Sequence, residues 1–282
     1  MNSSTKGPSE RPARYRAIVL DVDGTMVGAD FVVSARTRRA IAAAKEAGAI
    51  VSLATGRMMR SAKRFAGESG ADGPTVCYQG ALTFWPKTGE VVRHVTVSPW
   101  AATEALDLFA AAGAHVNLYL DDEVYVQRVT PWAEGYASRM EINLKVTPSL
   151  ADLAASGPTL ILATAEKERI EGLLPVVTAK LANIGRVTHS LPHFCEVGSP
   201  DAGKERALAH LSQVLDVPRS AFVAFGDGKG DAKMLRRAGL GVAIEGGHPD
   251  ALAAARRVAP GPDADGVAVV IEELLRQGRI GQ

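Results

Sequence analysis

Four short loops of this sequence place acidic, hydroxyl or basic side chains next to glycine. They carry the residues Asp21 and Asp23, Thr55 and Gly56, Lys204, and Asp227 and Asp231. The carboxylates are suited to a divalent cation, and the hydroxyl, the backbone amides and the ammonium are suited to a phosphoryl group. As a set, these residue types predict phosphoryl chemistry assisted by Mg²⁺.

The first loop has the sequence Asp21-Val22-Asp23-Gly24-Thr25. Strand alternation directs Asp21 and Asp23 to the same side, just past the end of an apolar strand. Two carboxylates so close repel each other unless a cation lies between them. Gly24 allows a tight turn whose amide groups face an anion. An Asx-turn at a strand end is the simpler alternative for this loop taken alone.

The other three loops also have ordinary alternatives. Thr55 and Gly56 lie between an apolar strand and a helix, where a hydroxyl and free amides favour phosphate binding. A lysine near a helix start, such as Lys204, is more often solvated, and acidic glycine loops such as 226–231 are common turns. The chemical interpretation therefore depends on all four loops occurring together.

The elements around these loops predict an α/β fold with a doubly wound, Rossmann-like parallel sheet. Apolar runs at 17–22 and 49–55, and the run AFVAFGDG at 221–228 that leads into a glycine loop, are typical of buried parallel strands, and helical stretches follow each of them. In such a sheet, the loops at the carboxyl ends of the strands form the ligand site. The four loops are therefore expected to meet at one edge.

The middle of the chain has a different pattern, with hairpins around 86–89 and at Asp121–Asp122 mixed with helices. It predicts an inserted α+β cap domain over 83–190, between core segments 15–82 and 191–282. The strand at 193–197 is expected to resume the core. Residues 1–14 lack the apolar run of a signal peptide and are expected to form a disordered tail.

The motifs DVDGT, ATGR, the GK of AGKERAL, and GDGKGDAKML occur here in the order found in the haloacid dehalogenase (HAD) superfamily, which the sequence resembles. The insert and the phrases VCYQGAL and ADGVA are similar to its Cof-type subgroup of sugar-phosphate phosphatases. The resemblance covers roughly residues 16–275. It departs at Gln79 and Gly230, where the subgroup usually has asparagine.

The resemblance implies a role for each loop. Asp21 is the expected nucleophile, and Asp23 is the general acid and then the general base. The carboxylates of Asp21 and Asp227 and the backbone carbonyl of Asp23 are expected to bind Mg²⁺, with support from Asp231. The phosphoryl oxygens are expected to contact Thr55, Gly56 and Lys204. The implied activity is hydrolysis of a small phosphorylated metabolite through an aspartyl-phosphate.

Composition limits the partners. With 32 basic and 31 acidic residues the formal net charge is +1, and aromatic residues make up 5% of the chain, so neither nucleic acid nor a membrane surface is an expected partner. Two distant cysteines, Cys77 and Cys195, form no disulfide framework, which favours a cytoplasmic location. Oligomeric state cannot be predicted from these features.

Three other motifs match the sequence less well. Residues 198–205 nearly match a P-loop, but Glu205 stands where Ser or Thr would bind Mg²⁺, and the glycines of 226–230 only faintly resemble a dinucleotide fingerprint. His193 and Cys195 are interpreted as a buried structural pair rather than a zinc site.

The functional alternatives are a non-enzymatic phosphate-ligand sensor and a phosphomutase. Arg128, Trp132 and Arg139 are the candidates in the insert for substrate recognition. A solvated face is the simpler role for each arginine.

Overall fold

The computed structural model describes residues 14–281, and the predicted tail at 1–14 lies almost entirely outside them. The strands are β1 Ala17–Leu20, β2 Ile50–Leu53, β3 Thr75–Cys77, β4 Leu82–Phe84, β5 Val91–His94, β6 His115–Leu120, β7 Glu123–Val126, β8 Leu144–Val146, β9 Leu160–Thr164, β10 Arg186–Thr188, β11 Phe194–Gly198, β12 Phe222–Gly226, β13 Leu240–Ile244 and β14 Arg257–Ala259. The α-helices are α1 Ala35–Glu46, α2 Met59–Ser69, α3 Pro99–Ala111, α4 Pro131–Met140, α5 Ala151–Ala154, α6 Lys167–Lys180, α7 Lys204–Val214, α8 Ala232–Arg237, α9 Pro249–Ala254 and α10 Gly266–Arg276. None of the described helices has the length and apolar character needed to cross a bilayer.

The core is a five-stranded parallel sheet with the order β14-β13-β12-β1-β2. Successive residues of β1 point to opposite faces, so Ile18 and Leu20 pack with α1 and α10 while Ala17 and Val19 pack with α7 and α8. Helices on both faces explain why the strand is apolar throughout. The doubly wound α/β core is as predicted.

Local signals define several helix ends and turns. The Ser34 hydroxyl accepts a hydrogen bond from the Thr37 amide at 3.0 Å and caps α1, as predicted. Ser98 caps α3, in which Pro99 occupies the first turn. The predicted turn at Asp121–Asp122 joins β6 to β7, with φ angles of 52° and 57°.

A six-stranded sheet with the order β10-β11-β9-β6-β7-β8, which we call the insert sheet, forms the α+β part of the chain. One face packs on α3 and α6 through Phe109, Leu118 and Val177. The other face packs through Tyr119 and its neighbours on residues of α2, β3 and β4. The insert sheet therefore lies against the part of the core that follows β2.

Two segments lie in different sheets from those predicted. The strand expected to resume the core, β11, pairs antiparallel with β9 and β10 and belongs to the insert sheet. The first hairpin of the expected insert, β4–β5, pairs with β3, which a bridge between Ala54 and Val76 links to the core edge. Apolar alternation predicts a strand but not its partner, because pairing depends on residues distant in sequence. The domain limits at 83 and 190 stay a prediction.

Candidate active site

The carboxyl ends of β1, β2 and β12 meet at one edge of the core sheet. Asp21, Thr55 and Asp227 follow these strands, and the first two side chains are buried, Asp21 with 5% exposure. All three strands are covered on both faces, so only the edge remains open for polar groups. The loops predicted to meet do so.

Lys204 lies at the centre of this edge. It is the first residue of α7, and its Nζ is 2.6 Å from Asp21 Oδ1 and 2.6 Å from Asp231 Oδ1. All three side chains are buried. Although burial disfavours its charge, the two carboxylates raise the pKa of Lys204, so the ammonium stays protonated.

Asp21, Asp227 and Asp231 each place a carboxylate oxygen within 4.8 Å of the others. Three carboxylates and one ammonium leave two negative charges unbalanced when all are ionised. Burial raises the pKa of Asp21 well above its ordinary range; Lys204 opposes this, and the charges of Asp231 and Asp227 add to it. A divalent cation bound by oxygen ligands would relieve this repulsion, so the donor set fits one.

Two further hydrogen bonds orient this cluster. The buried Thr25 hydroxyl donates to Asp227 Oδ1 at 2.9 Å, and the Gly228 amide donates to Asp231 Oδ2 at 2.9 Å. Such contacts hold carboxylates in position for a cation.

The carboxylate of Asp23 lies outside this cluster and is held by Arg57. Nε and Nη2 of the guanidinium donate to Oδ2 and Oδ1 of Asp23 at 2.8 and 2.6 Å. Arg57 is only 7% exposed and lies between the rings of Phe31 and Phe65, at 4.9 and 4.7 Å from their centroids. A bidentate pair fixed by packing orients the carboxylate. The expected metal contact of Asp23 was through its backbone carbonyl, which stays a prediction.

Thr55 and Gly56 form the predicted phosphate loop beside Gln79. The Arg57 amide donates to Thr55 Oγ1 at 3.1 Å. A Cβ on Gly56 would be 2.6 Å from Nε2 of Gln79, so a larger residue at position 56 would require this carboxamide to move. Gln79 has a φ of 55°, a left-handed conformation that is rare for a residue with a side chain and often marks a functional site.

Gly230 lies near the oxygen of the same carboxamide. A Cβ at position 230 would be 3.6 Å from Oε1 of Gln79, which is an ordinary contact. The φ of Gly230 is outside the left-handed region, so backbone conformation does not explain the glycine. Gln79 and Gly230, the two positions where the motifs depart from the pattern of the family that the sequence resembles, are therefore neighbours in space.

A cavity of about 890 Å³ joins this edge to the insert sheet. Of the three insert candidates, only Arg139 lines it, while the ring of Trp132 contacts that of His193 in a tilted arrangement, with 5.5 Å between the ring centroids. The expected buried pair is half correct: Cys195 is buried, which raises the pKa of its thiol to about 12, but His193 is exposed.

Sequence reasoning assigned no role to Thr25, Arg57 or Glu196. Thr25 lies in the motif of Asp21, and Arg57 lies in the motif of Thr55. This closeness in sequence to two expected site residues is the signal that could have identified them. No sequence signal pointed to Glu196, because it contacts the cavity only through the pairing of β11 in the insert sheet.

The fold and the site together define an α/β protein with a buried aspartate and lysine cluster at the carboxyl edge of its parallel sheet. The sequence model of the haloacid dehalogenase-like hydrolases matches residues 18–271, and the chain belongs to that family. The resemblance noted in the motifs is thereby confirmed, including the Cof-type subgroup.

Named phosphatases and a solved structure are similar to this chain over most of their length. The chain is 27% identical over 262 residues to the 5-amino-6-(5-phospho-D-ribitylamino)uracil phosphatase YitU of Bacillus subtilis, covering 92% of this chain and 97% of that protein. It is 24% identical over 244 residues to the HMP-PP phosphatase of Yersinia pseudotuberculosis, covering 83% and 85%. The crystal structure of TM0651 from Thermotoga maritima superposes with a TM-score of 0.81 at 27% identity, covering 92% and 97%.

Proposed function

We propose that this protein is a Mg²⁺-dependent phosphatase that hydrolyses a small phosphorylated metabolite through an aspartyl-phosphate on Asp21. The observation that carries this proposal is the contact of Lys204 with both Asp21 and Asp231, beside the carboxylate of Asp227. A carboxylate nucleophile is useful only if the negative charge of the phosphoryl group is neutralised around it. The named phosphatases among the relatives support the substrate class.

In the first step, an oxygen of Asp21 attacks phosphorus and the ester bond to the leaving oxygen breaks. Asp23 donates the proton that this oxygen takes up. In the second step, Asp23 accepts a proton from water, the hydroxide attacks phosphorus, and the bond to Asp21 breaks to release inorganic phosphate. Splitting one displacement into two makes each easier.

The remaining residues position and neutralise the phosphoryl group. Lys204, the Thr55 hydroxyl and the Gly56 amide bind its oxygens. When bound by Asp21, Asp227 and the Asp23 carbonyl, with Asp231 in support, Mg²⁺ supplies further positive charge. The insert predicted over residues 83–190 acts as a cap that excludes water from the cavity.

The test is phosphate release from p-nitrophenyl phosphate by the wild type and by Asp21→Asn. The variant should release phosphate at least about 10³-fold more slowly than the wild type, because an amide is a poor nucleophile. Wild-type protein that is quenched with acid during turnover of labelled p-nitrophenyl phosphate should carry the labelled phosphate on Asp21. Near-normal turnover by the variant would exclude the covalent mechanism.

The matched control is Asp30→Asn, which changes an exposed aspartate of the same region that belongs to neither the carboxylate cluster nor the Arg57 pair. It should turn over as the wild type does. Unfolding of Asp21→Asn by urea should remain cooperative, which separates lost chemistry from lost structure.

A further inference from the structure

The helix α2 begins directly after the loop of Thr55, Gly56 and Arg57, but it has no capping side chain of its own. Met58 occupies the capping position, and its side chain accepts no hydrogen bond from the helix. The first amides of a helix have no partner within it, so they need an acceptor from elsewhere. Here the acceptor comes from the insert sheet, 63 residues further along the chain.

Asp122, in the turn between β6 and β7, supplies this acceptor. Its Oδ1 accepts from the Met59 amide at 2.8 Å, and its Oδ2 accepts from the Arg60 amide at 3.0 Å. The Tyr78 hydroxyl donates to Oδ1 at 2.7 Å, and Arg60 Nε donates to Oδ2 at 3.2 Å. Four donors match the roughly four acceptor positions of a carboxylate. The helix dipole also favours a negative charge at this end of α2.

Tyr78 connects the same carboxylate to the turn that contains Gln79. Burial raises the pKa of Tyr78 and the charge of Asp122 adds to this rise, so the hydroxyl stays protonated and donates. Tyr78 and Gln79 have φ angles of 50° and 55°. Such a conformation persists only where surrounding contacts hold it. Asp122 therefore holds both the start of α2 and the neighbouring turn.

Both of these points are connected to the candidate active site. The carbonyl of Thr55 accepts a hydrogen bond from the Gln79 amide at 3.2 Å. Arg57 Nη1 donates to the hydroxyl of Ser61, in the first turn of α2, at 3.1 Å. The same guanidinium holds the carboxylate of Asp23. A shift of the first turn of α2 would therefore move the predicted phosphate loop and this carboxylate together.

The insert sheet and the segment after it also form ion pairs with α2. Arg60 Nη2 is 3.0 Å from Glu123 Oε1, and Arg64 pairs with Glu141. Partly exposed ion pairs of this kind contribute little to stability. The contact therefore depends mainly on Asp122, which bonds to backbone amides as well as to side chains.

We propose that Asp122 is a positioning residue, which holds the first turn of α2 from the insert sheet. Through that turn it positions the loop Thr55–Gly56, which binds the phosphoryl group in the proposed function, and the pair Arg57–Asp23, which transfers the proton. This proposal rests on the proposed function. It couples phosphate binding in the core to the docking of the insert sheet on α2.

The test uses Asp122→Asn, with Asp121→Asn as its matched control. Asparagine adopts a positive φ as readily as aspartate does, so neither change strains the backbone of the turn. In Asp122→Asn, the new NH₂ group faces N–H donors in place of a carboxylate oxygen. Asp121 is an exposed residue of the same turn with a φ of 52°, and within residues 14–281 no hydrogen bond joins it to α2.

Three measurements follow the proposed chain of contacts. Exchange of the Arg60 amide with solvent, measured by NMR, should be at least about tenfold faster in Asp122→Asn. Calorimetric binding of inorganic phosphate in the presence of Mg²⁺ should weaken by about tenfold. The kcat for n-pentyl phosphate should fall by about 10–100-fold. The kcat for p-nitrophenyl phosphate should fall less, because a good leaving group needs little proton transfer. Asp121→Asn should change none of these values.

Tyr78→Phe is an independent variant, because it removes one donor to Asp122 and leaves the carboxylate in place. It should weaken phosphate binding in the same direction. Faster exchange of the Arg60 amide in Asp122→Asn, with unchanged phosphate binding and equal slowing of the two esters, would show that Asp122 only caps the helix. That result would overturn the positioning role.

The exchange and phosphate-binding measurements separate this proposal from the proposed function, since neither requires turnover. If the wild type hydrolyses neither ester, the phosphatase is contradicted, and weaker phosphate binding by Asp122→Asn would still support the positioning of the loop. If the wild type hydrolyses both esters and Asp122→Asn binds phosphate and turns over as Asp121→Asn does, the positioning role alone is contradicted.

Discussion

Replacing Gly24 by alanine should displace a carboxylate of the cluster formed by Asp21, Asp227 and Asp231. Gly24 has a φ of +77°, and a Cβ built there would be 2.5 Å from Oδ2 of Asp227. Gly70, at the end of α2, has the same φ of +77° but no atom within 4 Å of such a Cβ. Gly70→Ala is therefore a matched control for backbone strain without the contact.

The two variants should differ in a defined way. A side chain in the left-handed region costs about 1–2 kcal/mol, so both should lose about that much free energy of unfolding. In Gly24→Ala, Asp227 must also move by about 1 Å to reach an ordinary contact distance. A misplacement of about 1 Å typically lowers the rate by roughly 10²-fold, and Gly70→Ala should keep its rate.

Urea unfolding measures the stability of both variants, and phosphate release over a range of Mg²⁺ concentrations measures the rate and the half-saturating concentration. Gly24→Ala should need more Mg²⁺ and should have a lower rate at saturation. If Gly24→Ala turns over and binds Mg²⁺ as Gly70→Ala does, Asp227 is not a ligand of the working site. A larger loss of stability in Gly70→Ala would contradict the strain argument.

Three other outcomes are expected. Arg57→Lys keeps the charge but not the bidentate contact with Asp23, so it should slow hydrolysis of n-pentyl phosphate by about 10–100-fold. Hydrolysis of p-nitrophenyl phosphate should be slowed less, because a good leaving group needs little proton transfer. Equal losses for the two esters would contradict the acid role of Asp23. Ca²⁺ should inhibit while Mg²⁺ activates, because Ca²⁺ accepts more oxygen ligands and can bind both oxygens of Asp21; full activity in a chelator would exclude the metal. Gly230→Asn should lower the half-saturating Mg²⁺ concentration, by up to about tenfold, because the new amide can support the loop carboxylates beside Gln79; an unchanged value would show that Gly230 does not weaken the metal site.

The local sequence was sufficient to predict the structure wherever a few neighbouring residues determine the backbone conformation. Ser34 and Ser98 cap helices because a hydroxyl oxygen reaches an amide two or three residues on. The parallel strands were predictable since burial on both faces demands an unbroken apolar run. Asp21, Thr55 and Asp227 could be placed at one edge for the same reason, because parallel strands end there.

Only the tertiary structure decided which strands pair and which side chains meet across the chain. The short segment 194–198 predicts a strand but does not specify its sheet, and its place in the insert sheet depends on pairing with β9 and β10. The pairing of Arg57 with Asp23 spans 34 residues, and the contact of Lys204 with Asp21 spans 183. Such contacts depend on the sum of packing over the whole molecule, which no short window of sequence contains.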